Sequence, residues 1–247
     1  MKRTLPALAG LILLWWVTSL LVHQPFLPSP WAVFIEMIRQ FGNGLLGPHI
    51  AVSLFRVISA LTAAFIPAFI LGVSAGMHKK ADNIISPIVY VLFPIPKVAL
   101  LPIILLFLGL GNSSKIFLVA LIVFFQFYLN IRDETHGISR KYFDSLYTLG
   151  GGRSDLLFHI IFPALLPRIF SSLRLTLGTA IAVLFLAETF ATRKGIGWYI
   201  MDAWSRIAYN QMYAGIAALS LAGLVLFALL DLADKKACRW KNTSSTR

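Results

Sequence analysis

Long apolar segments separated by short polar ones dominate the chain. Six of them approach the roughly 20 residues that an α-helix needs to cross a hydrocarbon core of about 30 Å. They cover residues 5–22, 51–77, 84–108, 116–129, 170–190 and 213–231. The fourth is short, and either extends to Ile131 or lies where neighbouring helices reduce its contact with lipid. The pattern predicts an all-α polytopic membrane protein with about six transmembrane helices in a single domain, residues 1–247.

The first apolar segment follows Lys2 and Arg3, an arrangement shared by signal peptides and uncleaved membrane helices. It is longer than the apolar region of a typical signal peptide, and no small-x-small cleavage motif follows it. We therefore expect it to remain as the first transmembrane helix.

The composition supports a membrane protein. Hydrophobic residues make up 58% of the 247 residues and charged residues only 13%, whereas soluble domains carry about 25% charged residues. The mean hydropathy is +0.79. The net charge of +12 does not indicate a nucleic-acid partner, because the basic residues lie between apolar segments and in the tail. The single cysteine, Cys238, excludes a disulfide within this chain and a metal site built from several of its thiolates.

The basic residues predict the orientation. If the N-terminus is cytoplasmic, fourteen of the 22 Lys and Arg residues fall in inside segments and five in outside segments. This asymmetry predicts a multi-pass protein with both termini in the cytoplasm. The remaining three are Arg56, Lys97 and Arg174. We expect Arg56 to snorkel towards a membrane surface and Arg174 to lie near the cytoplasmic side.

The polar segment between the fourth and fifth spans predicts two helices joined by a sharp turn. Phe143, Leu146 and Tyr147 share one face of a helix over residues 141–149, which leaves an exposed apolar stripe. Gly150 can end that helix in the left-handed conformation. Ser154 and Asp155 then suit the start of a second helix, and Pro163 and Pro167 are expected to break the path into the next span. Periodicity alone fits a docking helix and an amphipathic connector lying on lipid equally well.

The same segment, DSLYTLGGGRSDLLFHIIFP, resembles the E-A-A-x3-G-x9-I-x-L-P coupling loop of ABC importer permeases. Gly150, Ile160 and Pro163 fall at the family spacing. The departures are Asp144 for Glu, Ser145 and Leu146 for the two alanines, and Phe162 for Leu. In that family the loop docks into an ATP-hydrolysing subunit. The resemblance therefore implies that residues 141–163, here called the coupling segment, contact an ATPase through Asp144, Ser145, Leu146, Tyr147, Gly150, Ile160 and Pro163.

Further segments resemble the nitrate/sulfonate/taurine-type branch of that family. They are LPSPWAVF from Leu27, SLFRVISA from Ser53, FPIPKVALLPIILLFLGLGNSSK from Phe93, SSLRLTLGTA from Ser171, AETF from Ala187 and GIGW from Gly195. The resemblance implies a type I ABC importer permease of MetI-like fold, located in the bacterial plasma (inner) membrane, and a homodimer of permeases. It also implies two cytoplasmic ATPase subunits, an extracytoplasmic binding protein, and a small anion such as nitrate, a sulfonate or taurine as the solute. The chain itself is then not an enzyme and holds no cofactor, since ATP and Mg²⁺ would bind the partner subunit.

Residues that interrupt the apolar spans are the candidates for the translocation path. They are Pro94, Pro96, Lys97, Pro102 and Glu188. Prolines free backbone carbonyls, and broken helices of this kind often line water-filled paths. Lys97 either offers its charge to an anion or snorkels to a lipid phosphate, and Glu188 either contacts solute or, with more weight, has a structural role.

Other patterns carry less weight. Trp31, Phe34, Ile35 and Ile38 suit a short interfacial helix. Gly72 and Gly76 permit a close helix approach or occur together by chance. Asp133, Glu134 and His136 suit a solvated loop better than a metal site. No nucleotide-binding or metal-binding motif is present, because GLGNSSK lacks the spacing of a phosphate-binding loop.

Two other classes of function remain as alternatives to the importer permease. A secondary transporter would need a mid-membrane coupling group and repeat symmetry. A membrane enzyme acting on lipid would need convergent acids, histidines or a nucleophile. Within the importer class, a vitamin precursor such as a thiamine pyrimidine is the alternative solute.

Overall fold

The computed structural model describes residues 4–190 and 192–239, and no β-strand occurs in these two ranges. The helices of this part are α1 (Thr4–Val22), α2 (Pro30–Gly42), α3 (Leu46–Met77), α4 (Lys79–Leu92), a 3-10 turn (Lys97–Leu100), α5 (Leu101–Leu108), α6 (Asn112–His136), α7 (Arg140–Thr148), the short turn α8 (Arg153–Asp155), a π-helical segment (Leu156–Ile161), α9 (Phe162–Thr189), α10 (Ile196–Ser205) and α11 (Tyr209–Ala237). The all-α architecture is as predicted.

Four helices in the described part are long and apolar enough to cross a membrane: α3, α6, the continuous stretch Leu156–Thr189, and α11. Helix α4 and the segment Lys97–Leu108 qualify only as a pair, and they are bent by 79° at the break between them. The N-terminal helix contributes a shorter apolar stretch, Ala9–Val22. The structure thus has four membrane-length helices, or five if the bent pair forms one span, and six spans remain a prediction.

The helices differ from the apolar segments in two respects, while the break at the prolines of the third span is as predicted. Helix α6 has 25 residues and is longer than the fourth apolar segment. The coupling segment runs without a break into the fifth span, so Pro163 and Pro167 do not interrupt the helix. Pro163 lies inside this continuous helix, directly after the π-helical segment and Phe162.

The chain forms two compact units. One combines Met1–Phe55 with Phe185–Ala222, and its core joins Leu46, Ile196, Tyr199, Ile200 and Ala218. The other combines Arg56–Leu184 with Gly223–Arg247. Helix α6 supplies much of the core of this second unit through fully buried side chains that include Leu118, Val123, Phe127 and Tyr128.

Polar side chains join the helices of the second unit. Arg132 of α6 pairs with Asp82 of α4 at 2.6 Å. Arg174 of α9 pairs with Asp231 and Asp234 of α11 at 2.6 and 2.5 Å. Charge pairs between helices satisfy groups that lipid would leave unsolvated, so they fix which helices lie side by side.

The side chain of Arg56 is buried within the protein, so the expectation that it snorkels is wrong. Helix α3 begins at Leu46, so Arg56 lies ten residues, or about 15 Å, along the helix. Its side chain is 2% exposed, and its Nε donates to Oδ1 of Asn112 at 2.9 Å. The hydropathy pattern missed the first residues of α3 because they include Gly47, Pro48 and His49.

The acidic residues at the end of α6 form ion pairs. Asp133 pairs with Arg132 at 2.7 Å, and Glu134 lies 3.4 Å from Nε of Arg168. No group of His, Cys, Asp or Glu residues suited to a metal ion occurs within residues 4–190 and 192–239. These side chains therefore contribute to helix packing in the second unit.

The break in the third span is stabilised by Lys97. Pro94 and Pro96 have no amide hydrogen, so carbonyls at the end of α4 lose their usual helical donors. The Nζ of Lys97 donates to the carbonyls of Leu92 and Phe93 at 2.9 and 2.8 Å, and lies 3.4 Å from that of Ile95. It also lies 4.2 Å from the centre of the Phe125 ring, a cation–π contact. Lys97 is 9% exposed, and its ammonium group caps the end of α4. Of the two alternatives for Lys97, the one in which it snorkels to a lipid phosphate is therefore wrong.

Glycines allow α3 and α6 to approach closely. A Cβ on Gly76 would lie 2.5 Å from Cβ of Thr135 and 2.8 Å from the carbonyl oxygen of Arg132. A Cβ on Gly72 would lie 3.0 Å from Cγ2 of Ile131. The Gly72/Gly76 pair therefore serves helix packing.

Replacing Gly76 with valine should destabilise the protein by about 1–3 kcal/mol, because the added carbons meet the backbone of α6 as well as a side chain. Thermal unfolding of the purified protein in lipid nanodiscs measures the effect. Gly178→Ala is the matched control, since a Cβ at that helical position meets nothing within 4 Å. Equal melting temperatures for Gly76→Val and Gly178→Ala would contradict the packing described here.

Replacing Lys97 with methionine should lower the melting temperature, because carbonyls at the end of α4 would lose their donor in an apolar setting, at a cost of about 1–3 kcal/mol. Lys80→Met removes an exposed lysine near the other end of the same helix and should be neutral. A Lys97→Met protein as stable as the wild type would show that the ammonium group does not cap the break.

Candidate functional site

The coupling segment begins with helix α7, which ends in a tightly closed turn. The amide of Gly151 donates to the carbonyl of Leu146, and the amide of Gly150 donates to that of Tyr147, both at 3.0 Å. This pair of bonds is the Schellman motif, which places one residue in the left-handed region. Gly150 occupies that position with φ +78°, as the sequence predicts.

The apolar surface of α7 differs in part from the predicted stripe. A Cβ on Gly151 would lie 2.6 Å from Cγ of Leu146, so Leu146 packs against the turn and is half-buried, as is Phe143. Tyr142, Tyr147 and Leu149 are instead 63%, 55% and 85% exposed. No residue of α7 is buried. The helix therefore presents two aromatic side chains and one aliphatic side chain that the chain itself does not cover.

The other predicted coupling residues lie around this surface. Asp144 and Ser145 are exposed on α7, and the hydroxyl of Ser145 donates to the carbonyl of Lys141 at 2.8 Å. Ile160 lies in the π-helical segment and Pro163 at the start of α9, and both are half-buried. At the start of the second helix, the amide of Gly152 donates to Oδ2 of Asp155 at 2.9 Å. The side chain that caps this helix is therefore Asp155, whereas the sequence analysis expected Ser154.

The predicted path residues fall in two separate networks. Pro94, Pro96 and Pro102 are exposed around the break between α4 and α5, next to buried Lys97. Glu188 belongs to the other compact unit, near the end of α9, and is 0% exposed.

Glu188 binds the N-terminal end of α10. Its carboxylate accepts the amide of Gly197 at 2.9 Å and the hydroxyl of Ser53 at 2.8 Å. The hydroxyl oxygen of Ser53 in turn accepts the amide of Ile196 at 2.8 Å, and Nδ1 of His49 accepts that of Gly195 at 3.1 Å. Three successive amides at the start of α10 thus have acceptors. A carboxylate is also favoured there by the helix dipole.

The glycines of GIGW follow from this arrangement. Gly195 has φ +117°, and a Cβ there would lie 2.5 Å from both carboxylate oxygens of Glu188. A Cβ on Gly197 would lie 2.7 Å from Cβ of Glu188. The AETF and GIGW motifs therefore form one contact, in which glycine lets the backbone approach the carboxylate.

His49 and Ser53 were not predicted from the sequence as members of the Glu188 cluster. Ser53 lies 135 positions away from Glu188, and a hydrogen bond over that separation leaves no local pattern. The one available signal was the pair of polar residues at the start of an apolar helix. The ring of His49 also stacks on Trp198 at 5.2 Å.

Tyr199 completes the surroundings of this cluster. It is 5% exposed, and its hydroxyl has no hydrogen-bond partner among the described residues. Burial is the main reason why the pKa of Tyr199 rises to about 12, and the nearby carboxylate of Glu36 adds to the rise. The phenol is therefore neutral at physiological pH.

Comparison with known proteins identifies the family. The model of the family described as "binding-protein-dependent transport system inner membrane component" matches residues 68–237. The taurine transport system permease protein TauC of Escherichia coli is 29% identical over 240 residues, which cover 94% of this chain and 87% of that protein. The putative aliphatic sulfonates transport permease protein SsuC of Bacillus subtilis is 29% identical over 95% of this chain and 86% of its own length.

A third relative has a different solute in its name. The formylaminopyrimidine transport permease protein ThiX of Halalkalibacterium halodurans is 24% identical over 98% of this chain and 99% of its own length. The family match covers more than half of the chain and includes the coupling segment, the broken third span and Glu188. This chain is therefore a multi-pass inner-membrane permease of the binding-protein-dependent transport system inner membrane component family.

Proposed function

We propose that the chain is the membrane-spanning subunit of an ATP-driven importer, in which helix α7 docks into a separate ATPase subunit. The observation that carries this proposal is that helix α7, closed by a left-handed glycine, leaves the side chains of Tyr142, Tyr147 and Leu149 exposed. Two membrane-length helices, α6 and Leu156–Thr189, flank helix α7 in the chain. A fixed apolar surface of this kind is what a protein partner can bind.

The assembly we propose has two permease copies, two ATPase subunits in the cytoplasm and one extracytoplasmic binding protein. Both termini of each permease lie in the cytoplasm, which places the coupling segment where ATP is available. ATP binding closes the ATPase pair and moves the coupling segment. The helices then alternate between inward-facing and outward-facing states, and this chain performs no covalent chemistry and holds no cofactor.

The proposed path runs beside the broken third span. Discontinuous helices line solute paths because their free backbone groups need water or protein as partners. Pro94, Pro96 and Pro102 are exposed at this break. Lys97 and Glu188 hold the backbone next to the path, and neither is assigned direct contact with solute.

The proposed solute is a small sulfonate such as taurine, or a similar anion such as nitrate. Support comes from the names of two relatives, a taurine permease and an aliphatic sulfonate permease. ATP hydrolysis by the assembled importer, measured with binding proteins loaded with taurine, an alkanesulfonate, nitrate or formylaminopyrimidine, tests this proposal. Stimulation by the formylaminopyrimidine form alone would replace the anion with a vitamin precursor, as the name of the third relative suggests.

Replacing Gly150 with valine should abolish uptake while membrane insertion is retained. A β-branched residue opposes φ +78°, although the position has free space, because a Cβ there meets nothing within 4 Å. Asparagine tolerates the left-handed region, so Gly150→Asn is the matched control and should retain most uptake. Uptake in proteoliposomes measures the effect. Wild-type transport by Gly150→Val would show that transport does not depend on the left-handed turn at Gly150.

Replacing Leu149 with lysine should weaken ATPase binding about tenfold, because an exposed apolar side chain at the centre of the proposed interface becomes charged. Co-purification with the ATPase subunit and titration in nanodiscs measure the loss. Leu106→Ala is the control, since Leu106 is 86% exposed in the apolar helix α5. Equal ATPase affinity for Leu149→Lys and the wild type would place the docking surface elsewhere.

A further inference from the structure

In the second compact unit, polar side chains of α6 pair with polar side chains of α9 along one line. The Nε2 of Gln126 donates to Oγ1 of Thr179 at 3.4 Å. The Nδ2 of Asn130 donates to Oγ of Ser172 at 3.0 Å. Residues four or seven positions apart share one face of a helix, so the two amides of α6 face the two hydroxyls of α9. We call this set the α6–α9 polar seam (Gln126, Asn130, Ser172 and Thr179).

The Gln126–Thr179 pair lies deep within both membrane-length helices. Gln126 is ten residues, or about 15 Å, from the last residue of α6. Thr179 is the same distance from the last residue of the stretch Leu156–Thr189. Phe125, whose ring contacts Lys97, directly precedes Gln126. The seam therefore begins at the level of the break in the third span, beside which the proposed path runs.

At its other end, the seam continues into an exposed ion pair. Nε of Arg168 lies 3.4 Å from Oε2 of Glu134, and their side chains are 66% and 39% exposed. Glu134 is one turn beyond Asn130 on α6. Arg168 is one turn before Ser172 on α9. One line of polar residues thus runs from the exposed ends of the two helices to their middle.

The open side of the seam is unsuited to lipid. Asn130 is exposed, and Gln126 and Thr179 are half-buried. Each side-chain amide has two N–H groups, and among the described residues Gln126 and Asn130 each donate one hydrogen bond. An amide group without a partner is costly in hydrocarbon, so the open side of the seam needs water or a polar ligand.

Open space adjoins the middle of the seam. Gly178, directly before Thr179, is exposed, and a Cβ there would meet nothing within 4 Å. A Cβ on Gly72 or Gly76 would instead lie 3.0 or 2.5 Å from a side chain of α6. Glycine is unfavourable inside a helix relative to alanine, and helix packing does not call for it at position 178. Its place beside Thr179 leaves room for a bound molecule.

We propose that the α6–α9 polar seam is a binding site for a small oxyanion, such as a sulfonate or nitrate, on its way through the permease. This inference rests on the proposed function and deepens it, because it assigns residues that contact the solute. Amide and hydroxyl groups of the seam are donors, and oxyanion oxygens are acceptors. Lys97 and Glu188, the ionisable candidates, bind backbone groups instead.

Neutral donors fit a site that the solute must leave again. A charged partner inside the membrane would hold an anion strongly, because a low dielectric strengthens the attraction. Passage requires binding that admits the solute and is weak enough to release it. The amides and hydroxyls of the seam meet this requirement without adding charge to the path.

Thr179→Val tests the donors of the seam. Taurine uptake by the assembled importer in proteoliposomes should fall about tenfold, because a hydrogen bond to the anion is lost. The melting temperature in nanodiscs should stay unchanged. Thr62→Val is the matched control and should alter neither quantity. Thr62 is an exposed residue of α3 whose hydroxyl donates to the carbonyl four positions earlier, as that of Thr179 does.

Gly178→Leu tests the open space. Leucine is a good helix former, so the protein should stay folded, while its side chain fills the room beside Thr179 and lowers uptake at least as much as Thr179→Val. Ala228→Leu is the control and should transport normally. It adds the same apolar bulk at an exposed position of α11, next to exposed Leu224 and Leu229.

An anionic methanethiosulfonate reagent that carries a sulfonate group identifies what covers the seam. In a Cys238→Ser background, the Asn130→Cys variant should react with it, and taurine delivered by its binding protein should slow the reaction. The Ala228→Cys variant should not react. Disulfide-linked permease dimers of Asn130→Cys would assign the seam to the permease pair, and absence of reaction would assign it to lipid. Either result overturns the proposal.

The remaining outcomes separate the seam from the proposed function. Lower uptake by Thr179→Val and Gly178→Leu at an unchanged melting temperature supports the proposal. Loss of uptake only in proportion to lost stability overturns it, because the seam would then serve packing. Normal uptake by both variants overturns the seam alone. A wild type that imports none of the anions contradicts the proposed solute, and the seam proposal fails with it.

Discussion

Every helix end in an apolar medium needs partners for its free backbone groups, and the chain must supply most of them itself. This constraint explains why several of its polar residues are buried. Lys97 donates to the carbonyls of Leu92 and Phe93 at the end of α4, and Nζ of Lys115, which is fully buried, donates to the carbonyl of Leu110 at 2.7 Å. Glu188, Ser53 and His49 accept the first amides of α10. The ionisable groups that first suggest a solute path thus bind backbone at helix ends.

The same constraint applies along the fifth span. The coupling segment ends within a helix that is continuous from Leu156 to Thr189 and about 50 Å long. It starts with a π-helical segment, a geometry that is rare and often found at functional positions. Near its far end, Glu188 binds the N-terminus of α10.

The sequence predicted the parts of this structure that depend on local pattern. Gly150 in a left-handed turn and the helical spans follow from composition and periodicity. The prolines of the third span also predicted its break, although not the size of the bend, 79°. The extension of α3 to Leu46 was missed, because hydropathy averages over its polar first residues. The role of Lys97 was open because a lysine after two prolines can face solute, lipid or backbone. The pairing of Ser53 with Glu188 joins distant positions, so only the folded chain reveals it.

The central claim is that helix α7 is the surface on which a separate ATPase subunit docks. Hydrogen–deuterium exchange of the permease in nanodiscs, with and without the ATPase subunit, tests this claim most directly. We expect amides over residues 142–152 to gain protection when the ATPase is present, and those over residues 203–208 to remain unchanged. Co-purification of the two subunits without added protection over residues 142–152 would contradict the account.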